Sequence, residues 1–201
     1  MSRTSHMRGV SVPVGAMAVD LAPHRNNVGC STAQEPGGEG FDGFGRFLPA
    51  EMLHDLAPAL GLAKDHGAGA PDNVACEGQL IRLPRSGAVA ALHAVGAGSG
   101  GSVQEVVRLR QDCGGEGTDL VIGFSDILAR HPAPGESCCA EGEFFLDSGG
   151  EAVPGAVPRL WQVTAECASA PRCTWLELPY NPDLHLFGLW VSFAEQREVA
   201  P

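Results

Sequence analysis

One lysine, Lys64, and one tyrosine, Tyr180, stand among 201 residues, and aromatic residues make up only 6% of the chain. The shortage of basic side chains excludes one class of partner. Lys and Arg number 13 against 24 Asp and Glu, for a formal net charge of −11. Counterion release from a phosphate backbone needs clustered cations, so nucleic acid is not an expected partner. Long apolar runs are missing too. No segment approaches a membrane span, and the N-terminal stretch MSRTSHMRGVSVPVGAMAVDLAPH lacks the apolar stretch of a secretory leader. The expectation is a cytoplasmic chain without a membrane partner. SHM, at residues 5–7, has the look of a cloning scar, so residues 1–9 are read as tag-like and 10–201 as one domain.

Paired metal ligands are also lacking. The seven cysteines, Cys30, Cys76, Cys113, Cys138, Cys139, Cys167 and Cys173, form no C-x-x-C pair, and Cys138 and Cys139 point opposite ways on an extended chain. Reduced, mostly buried thiols are expected, with no metal and no cofactor. Neither a G-x-S-x-G elbow nor an H-E-x-x-H helix occurs. Nucleophilic and zinc-hydrolase chemistry therefore find no support.

One motif looks like a nucleotide cradle and fails on context. In GEGFDGFG, Gly38, Gly40 and Gly43 have G-x-G-x-x-G spacing. Such a loop works when a hydrophobic strand enters it and a helix start leaves it. Here the upstream CSTAQEPG is polar, and Pro49 falls where the helix would be under way. Glu39 and Asp42 would also face a phosphate with negative charge.

What is abundant is turn material: 27 glycines and 15 prolines. Between Gly/Pro/Asp clusters lie short strand-like runs, among them VSVPV, MAVDL, QLIRL, AVAALHAVGA, VQEVVRLRQ, TDLVIGF, RLWQVTAE, CTWLELP and LHLFGLWVSFA. In VVRLRQ, Val107 and Leu109 face one way and Arg108 and Arg110 the other, as a half-buried antiparallel strand requires. The spacing predicts an all-β, two-sheet sandwich or jelly roll. One short helix is expected over 49–60, PAEMLHDLAPAL, with Leu53, Leu56 and Leu60 inward and Pro58 limiting its length.

Five segments taken in order, VDLAPHRNNVG, FDGFGRFLPAEML, PDNVACEGQLIRLP, LVIGFSDIL and LPYNPDLHLFGLWVSFA, resemble the β-sandwich accessory domain of bacterial α-L-fucosidase-type glycosidases. The resemblance spans roughly residues 19–193 and implies a galactose-binding-like jelly roll. It further implies that the N-N-V-G and F-D-G segments form the mouth of the sandwich. There the glycines permit positive φ, Phe41 and Phe44 pack, and Asp42 accepts backbone N–H bonds. Residues 129–157 depart from the family pattern, and a long loop on a rigid sandwich is where a binding site is remodelled.

Candidate acid/base residues follow from side-chain chemistry. Asp42 and Asp126 sit among aromatic residues, where a carboxyl resists ionisation and can donate a proton; a turn-capping role explains each as well or better. His54 flanks the expected helix beside Asp55. His131, in the divergent loop, has Asp126 five residues before it and Glu136 five after. His93 and His185 read as hydrogen-bonded strand histidines. Phe44, Arg46, Trp161 and Tyr180 are the candidate ligand contacts: Arg46 as an anion clamp, with a surface ion pair the alternative, Trp161 and Tyr180 as stacking surfaces, with Trp190 read as core.

In the family the domain is appended to secreted enzymes. A cytoplasmic, free-standing chain is instead expected to hold a small-molecule substrate, as a cofactor-independent tailoring enzyme. Its acid/base chemistry would be cyclisation or dehydration with conjugate addition on a polyketide-like chain. The alternative is a non-catalytic carbohydrate-binding module; homo-oligomerisation stays open under either. The enzyme reading expects a deep apolar pocket holding at least one of Asp42, His54, Asp126 or His131. The binding reading expects a shallow wet groove with an aromatic platform and carboxylates at its rim.

Overall fold

The computed structural model describes residues 9–33, 40–63, 66–111 and 117–194. Among these, eight strands of four or more residues carry the architecture: β1 (Val74–Glu77), β2 (Leu80–Gly98), β3 (Val103–Arg110), β4 (Gly117–Phe124), β5 (Ser137–Glu141), β6 (Arg159–Glu166), β7 (Arg172–Glu177) and β8 (Tyr180–Phe193). They form two antiparallel layers, the all-β sandwich expected from the turn spacing. The larger sheet runs β1–β8–β2–β6–β5, and the two-residue pair Met17–Ala18 extends its β8 edge. The smaller runs β2–β7–β3–β4.

β2 belongs to both sheets. Its residues 80–88 pair with β7, and residues 89–98 pair with β8 and, in part, with β6. Register shifts in the partner strands, at Cys173/Trp175 and Ser192/Phe193, accompany the change of sheet. Such bulges bend a strand and let it turn a corner. Alternation then does what the sequence implied: Val107 and Leu109 of β3 are buried while Arg108 and Arg110 face outward.

The layers meet tightly at Gly96. A Cβ there would lie 2.6 Å from the Phe124 ring of β4 and 2.2 Å from the His185 carbonyl. Only glycine lets Phe124 reach β2. Trp161, paired with Gly96 in register, is fully buried beside it.

The short helix expected near 49–60 is present, as a 3₁₀ turn (Ala50–Leu53) followed by a single helical turn, α1 (Ala57–Leu60). Pro58 sits in the first turn of α1 and has no N–H to continue a helix from residue 54. The leucines still face inward, with Leu53, Leu56 and Leu60 all buried. VSVPV is not a strand: Pro13 and Gly15 form a turn, with the Ala16 N–H on the Pro13 carbonyl. Ser11 instead crosses the large sheet, accepting from and donating to the Gln162 amide. No helix among the described residues is long and apolar enough to cross a membrane.

Candidate functional site

Polar residues from three of the family-like segments, with Phe41 from a fourth, meet in one sealed cluster beside β1 and β8. Asp72, 2% exposed, accepts the N–H of Cys30 at 2.8 Å, that of Gly29 at 3.2 Å and the Asn73 amide at 2.9 Å. Asn73 also donates to the Asn27 side chain at 2.8 Å and accepts from His185 Nδ1 at 2.9 Å. The Phe41 ring lies against His185 with centroids 4.1 Å apart. The glycine of N-N-V-G belongs to this packing, since a Cβ on Gly29 would sit 2.5 Å from the Asn73 amide nitrogen.

Burial dominates the acidities here. It lifts the Asp72 carboxyl above its ordinary value despite three donors, pushes His185 down to about 4, and with Asp72 alongside drives the Cys30 thiol far up. Cys30, Asp72, Asn73 and His185 are each 3% exposed or less. No substrate can reach them, and the cluster is a clasp.

The accessible site lies elsewhere. A groove of about 410 Å³ opens where the β4 edge of the small sheet faces β6 of the large one. β5 pairs with β6 only as far as Gln162, so residues 163–166 have one open side facing the free edge of β4. Ser102, Gln104 and Thr164 line this groove with Val103, Val121 and Val163; the Thr164 hydroxyl also meets His93, and the Ser102 hydroxyl accepts the Asp126 N–H at 3.1 Å. Its wall is the turn Ala133-Pro134-Gly135-Glu136. The Glu136 N–H bonds the Ala133 carbonyl at 3.0 Å, and Gly135 has φ +88, as a type II turn with proline at its second position requires. The Glu136 carboxylate holds the turn to the end of β4, accepting from Ser125 N at 2.8 Å, Ser125 Oγ at 2.5 Å and Ala133 N at 3.0 Å.

The residues singled out from the sequence are not gathered into one site. Asp42 accepts from Phe44 N at 2.9 Å and pairs with Arg46, whose guanidinium lies over the Phe145 ring. Asp42 thus caps its own tight loop, in which Gly40 and Gly43 take positive φ; Gly38 and Glu39 lie outside the described residues. Phe44, expected to pack, is 81% exposed because Phe41 takes the inward position. His54 is exposed beside α1 and His131 is exposed on the loop leading to the groove wall. Asp126 accepts the Leu128 N–H at 2.7 Å, the turn-capping alternative. Trp161 cannot stack on a ligand: it is fully buried, and its indole N–H donates to the Asp126 carbonyl at 3.1 Å. Tyr180, 80% exposed, opens β8 opposite Glu77 and does not line the groove.

None of Asp42, His54, Asp126 or His131 lines the groove or either of two smaller cavities of about 290 and 180 Å³. His93 is satisfied on both ring nitrogens, by Thr164 Oγ at 2.9 Å and Ser192 Oγ at 2.8 Å. No group of three or more His, Cys, Asp or Glu among the described residues could hold a metal ion. The groove residues Ser102, Gln104 and Thr164 carry no motif. The one readable signal was Pro134-Gly135 followed by an acid, inside the loop already marked as divergent. No protein-family model matches the chain, and no curated protein matches it.

Proposed function

We propose that the protein is a non-catalytic binding module whose ligand is hydroxyl-rich, of the carbohydrate class, and that the groove between β4 and β6 receives it. The observation carrying this reading is the composition of the groove. Hydroxyl- and amide-bearing residues, Ser102, Gln104 and Thr164, line it together with valines from the start of β3, the β4 edge and β6. Sugars present hydroxyls around an apolar ring face, and such a surface answers both. Edge strands add backbone N–H and C=O groups that seek partners. The groove volume falls within the range of small-ligand sites, roughly 300–1,000 Å³. The Glu136 carboxylate at its wall matches the rim acid expected of a saccharide site, although it acts through the turn it holds.

Less supports acid/base catalysis of a cyclisation. Proton transfer needs a donor and acceptor within hydrogen-bond reach of the substrate, about 2.6–3.2 Å. Asp42 is engaged by Arg46, Asp126 closes a turn, and His54 and His131 stand exposed on separate loops. The thiol, carboxyl and imidazole most displaced from their ordinary acidities, Cys30, Asp72 and His185, are sealed in the clasp.

Calorimetry against a panel of mono- and oligosaccharides tests the proposal, with Gln104→Ala and Val121→Trp as variants. At least one saccharide should bind, and each variant should weaken it about tenfold or more, corresponding to about 1.4 kcal/mol, with the melting temperature unchanged. A panel without any binder, or binding indifferent to both substitutions, would overturn it.

A further inference from the structure

The second cavity, about 290 Å³, shares no residue with the groove. It lies on the large sheet between β8, residues 18–25 and α1, and its floor is apolar: Leu60, Leu189 and Trp190. Gly188 keeps that floor close, since a Cβ there would lie 2.7 Å from both the Leu60 side chain and the Trp190 ring. One cation enters this apolar setting. Arg25 lines the cavity and is fixed there by Nη2, which donates to the Leu60 carbonyl at 3.0 Å and the Gly61 carbonyl at 2.9 Å.

The rest of that guanidinium is poorly served. Its Nε is buried without a hydrogen-bond partner. No carboxylate among the described residues forms an ion pair with it; Asp72 and Asp20 act on it only through longer-range charge. Burial correspondingly lowers its pKa, the larger influence of the three. Arginine presents five donors in a planar fork that matches a carboxylate. A half-buried guanidinium with two donors committed to carbonyls, no contacting acid and an indole lining the same cavity is an incomplete arrangement.

The geometry points to this cavity as a binding site for a small monocarboxylate with a compact apolar body, the carboxylate facing Arg25 and the body lying over Trp190 and Leu60. Asp20, also at the cavity, accepts the Ala22 N–H at 3.0 Å. Its charge opposes anions, so it selects a single carboxylate over a dianion.

Benzoate is the probe, with benzyl alcohol as its neutral counterpart of similar size, titrated by calorimetry. Benzoate should bind saturably and benzyl alcohol at least tenfold more weakly, because charge-assisted bonds are about twice as strong as neutral ones. Arg25→Met should abolish benzoate binding. Since that change also removes two bonds to the α1 end, Asp20→Asn provides a second arm: its amide oxygen keeps the Ala22 bond while the repulsion is lost. Asp20→Asn should tighten benzoate roughly two- to fivefold, less at high salt. Gln104→Ala should leave benzoate unaffected, which separates this site from the saccharide groove. Absent benzoate saturation, equal binding of the alcohol, or no gain in Asp20→Asn would each overturn the inference.

Discussion

His185 Nδ1 lies 2.9 Å from the side-chain oxygen of Asn73 across 112 residues of sequence. The Asn73 amide is committed to donating to Asn27 and Asp72, so its oxygen accepts and the imidazole proton sits on Nδ1. One bond thereby ties the last long strand to the segment entering β1. Both partners are buried, which gives the bond a measurable pH signature.

Stability should fall as pH drops from 6.5 towards 4. Burial holds His185 down to about 4, against the opposing charges of Asp183 and Asp42. In that window the unfolded chain binds a proton that the folded chain refuses, at about 1.4 kcal/mol per pH unit for one group, or on the order of 3 kcal/mol in all. Asp72 works the other way, because its raised folded pKa adds stability as pH falls through it. His185→Asn, whose amide nitrogen stands where Nδ1 does, isolates the histidine: urea midpoints of the variant should lose the decline seen in the parent between pH 6.5 and 4.

Asp72→Ala should destabilise the protein by about 2–4 kcal/mol, measured by urea unfolding at neutral pH. It strands the Gly29 and Cys30 N–H groups, both buried and otherwise satisfied by this carboxylate. Asp72→Asn should cost less, since its amide oxygen still accepts.

Gly96→Ala tests the contact between β2 and the Phe124 ring. The added carbon meets a ring and a backbone carbonyl that cannot both retreat. A loss on the order of 1–3 kcal/mol or more is expected. An unchanged thermal midpoint would show that the layers are looser than described.

Glu136→Ala should release the groove wall without unfolding the sandwich. Hydrogen exchange at the Ser125 and Ala133 amides should accelerate, each having lost its carboxylate acceptor, while amides in β2 and β8 keep their protection.

Native-state alkylation should label Cys138 ahead of Cys30, Cys76, Cys139, Cys167 and Cys173. Cys138 is half-buried and the other five are buried, and burial further pushes Cys139 up to about 12 and Cys173 up to about 11. Only the thiolate attacks. Peptide mass mapping reads the order.

Local pattern carried the architecture. The alternation of Val107, Arg108, Leu109 and Arg110 fixes which face of β3 is buried whatever it packs against, because the side-chain period of a strand is two. Leucine spacing placed Leu53, Leu56 and Leu60 inward, in the short helical stretch that Pro58 limits. Asp42 illustrates the limit. Its two readings, proton donor and turn cap, use the same residues and differ only in whether Arg46 folds back onto it, as it does here.

The sequence by itself determined an antiparallel sandwich and the inward faces of its most regular segments, such as β3 and the leucines around α1, since period and turn chemistry act between near neighbours. Tertiary structure alone decided that Asp72, Asn73 and His185 form a closed clasp, that Trp161 is buried rather than presented, and that the open surface lies between β4 and β6. Those outcomes depend on contacts between residues far apart in the chain, and no local pattern specifies which distant polar group will arrive to satisfy another.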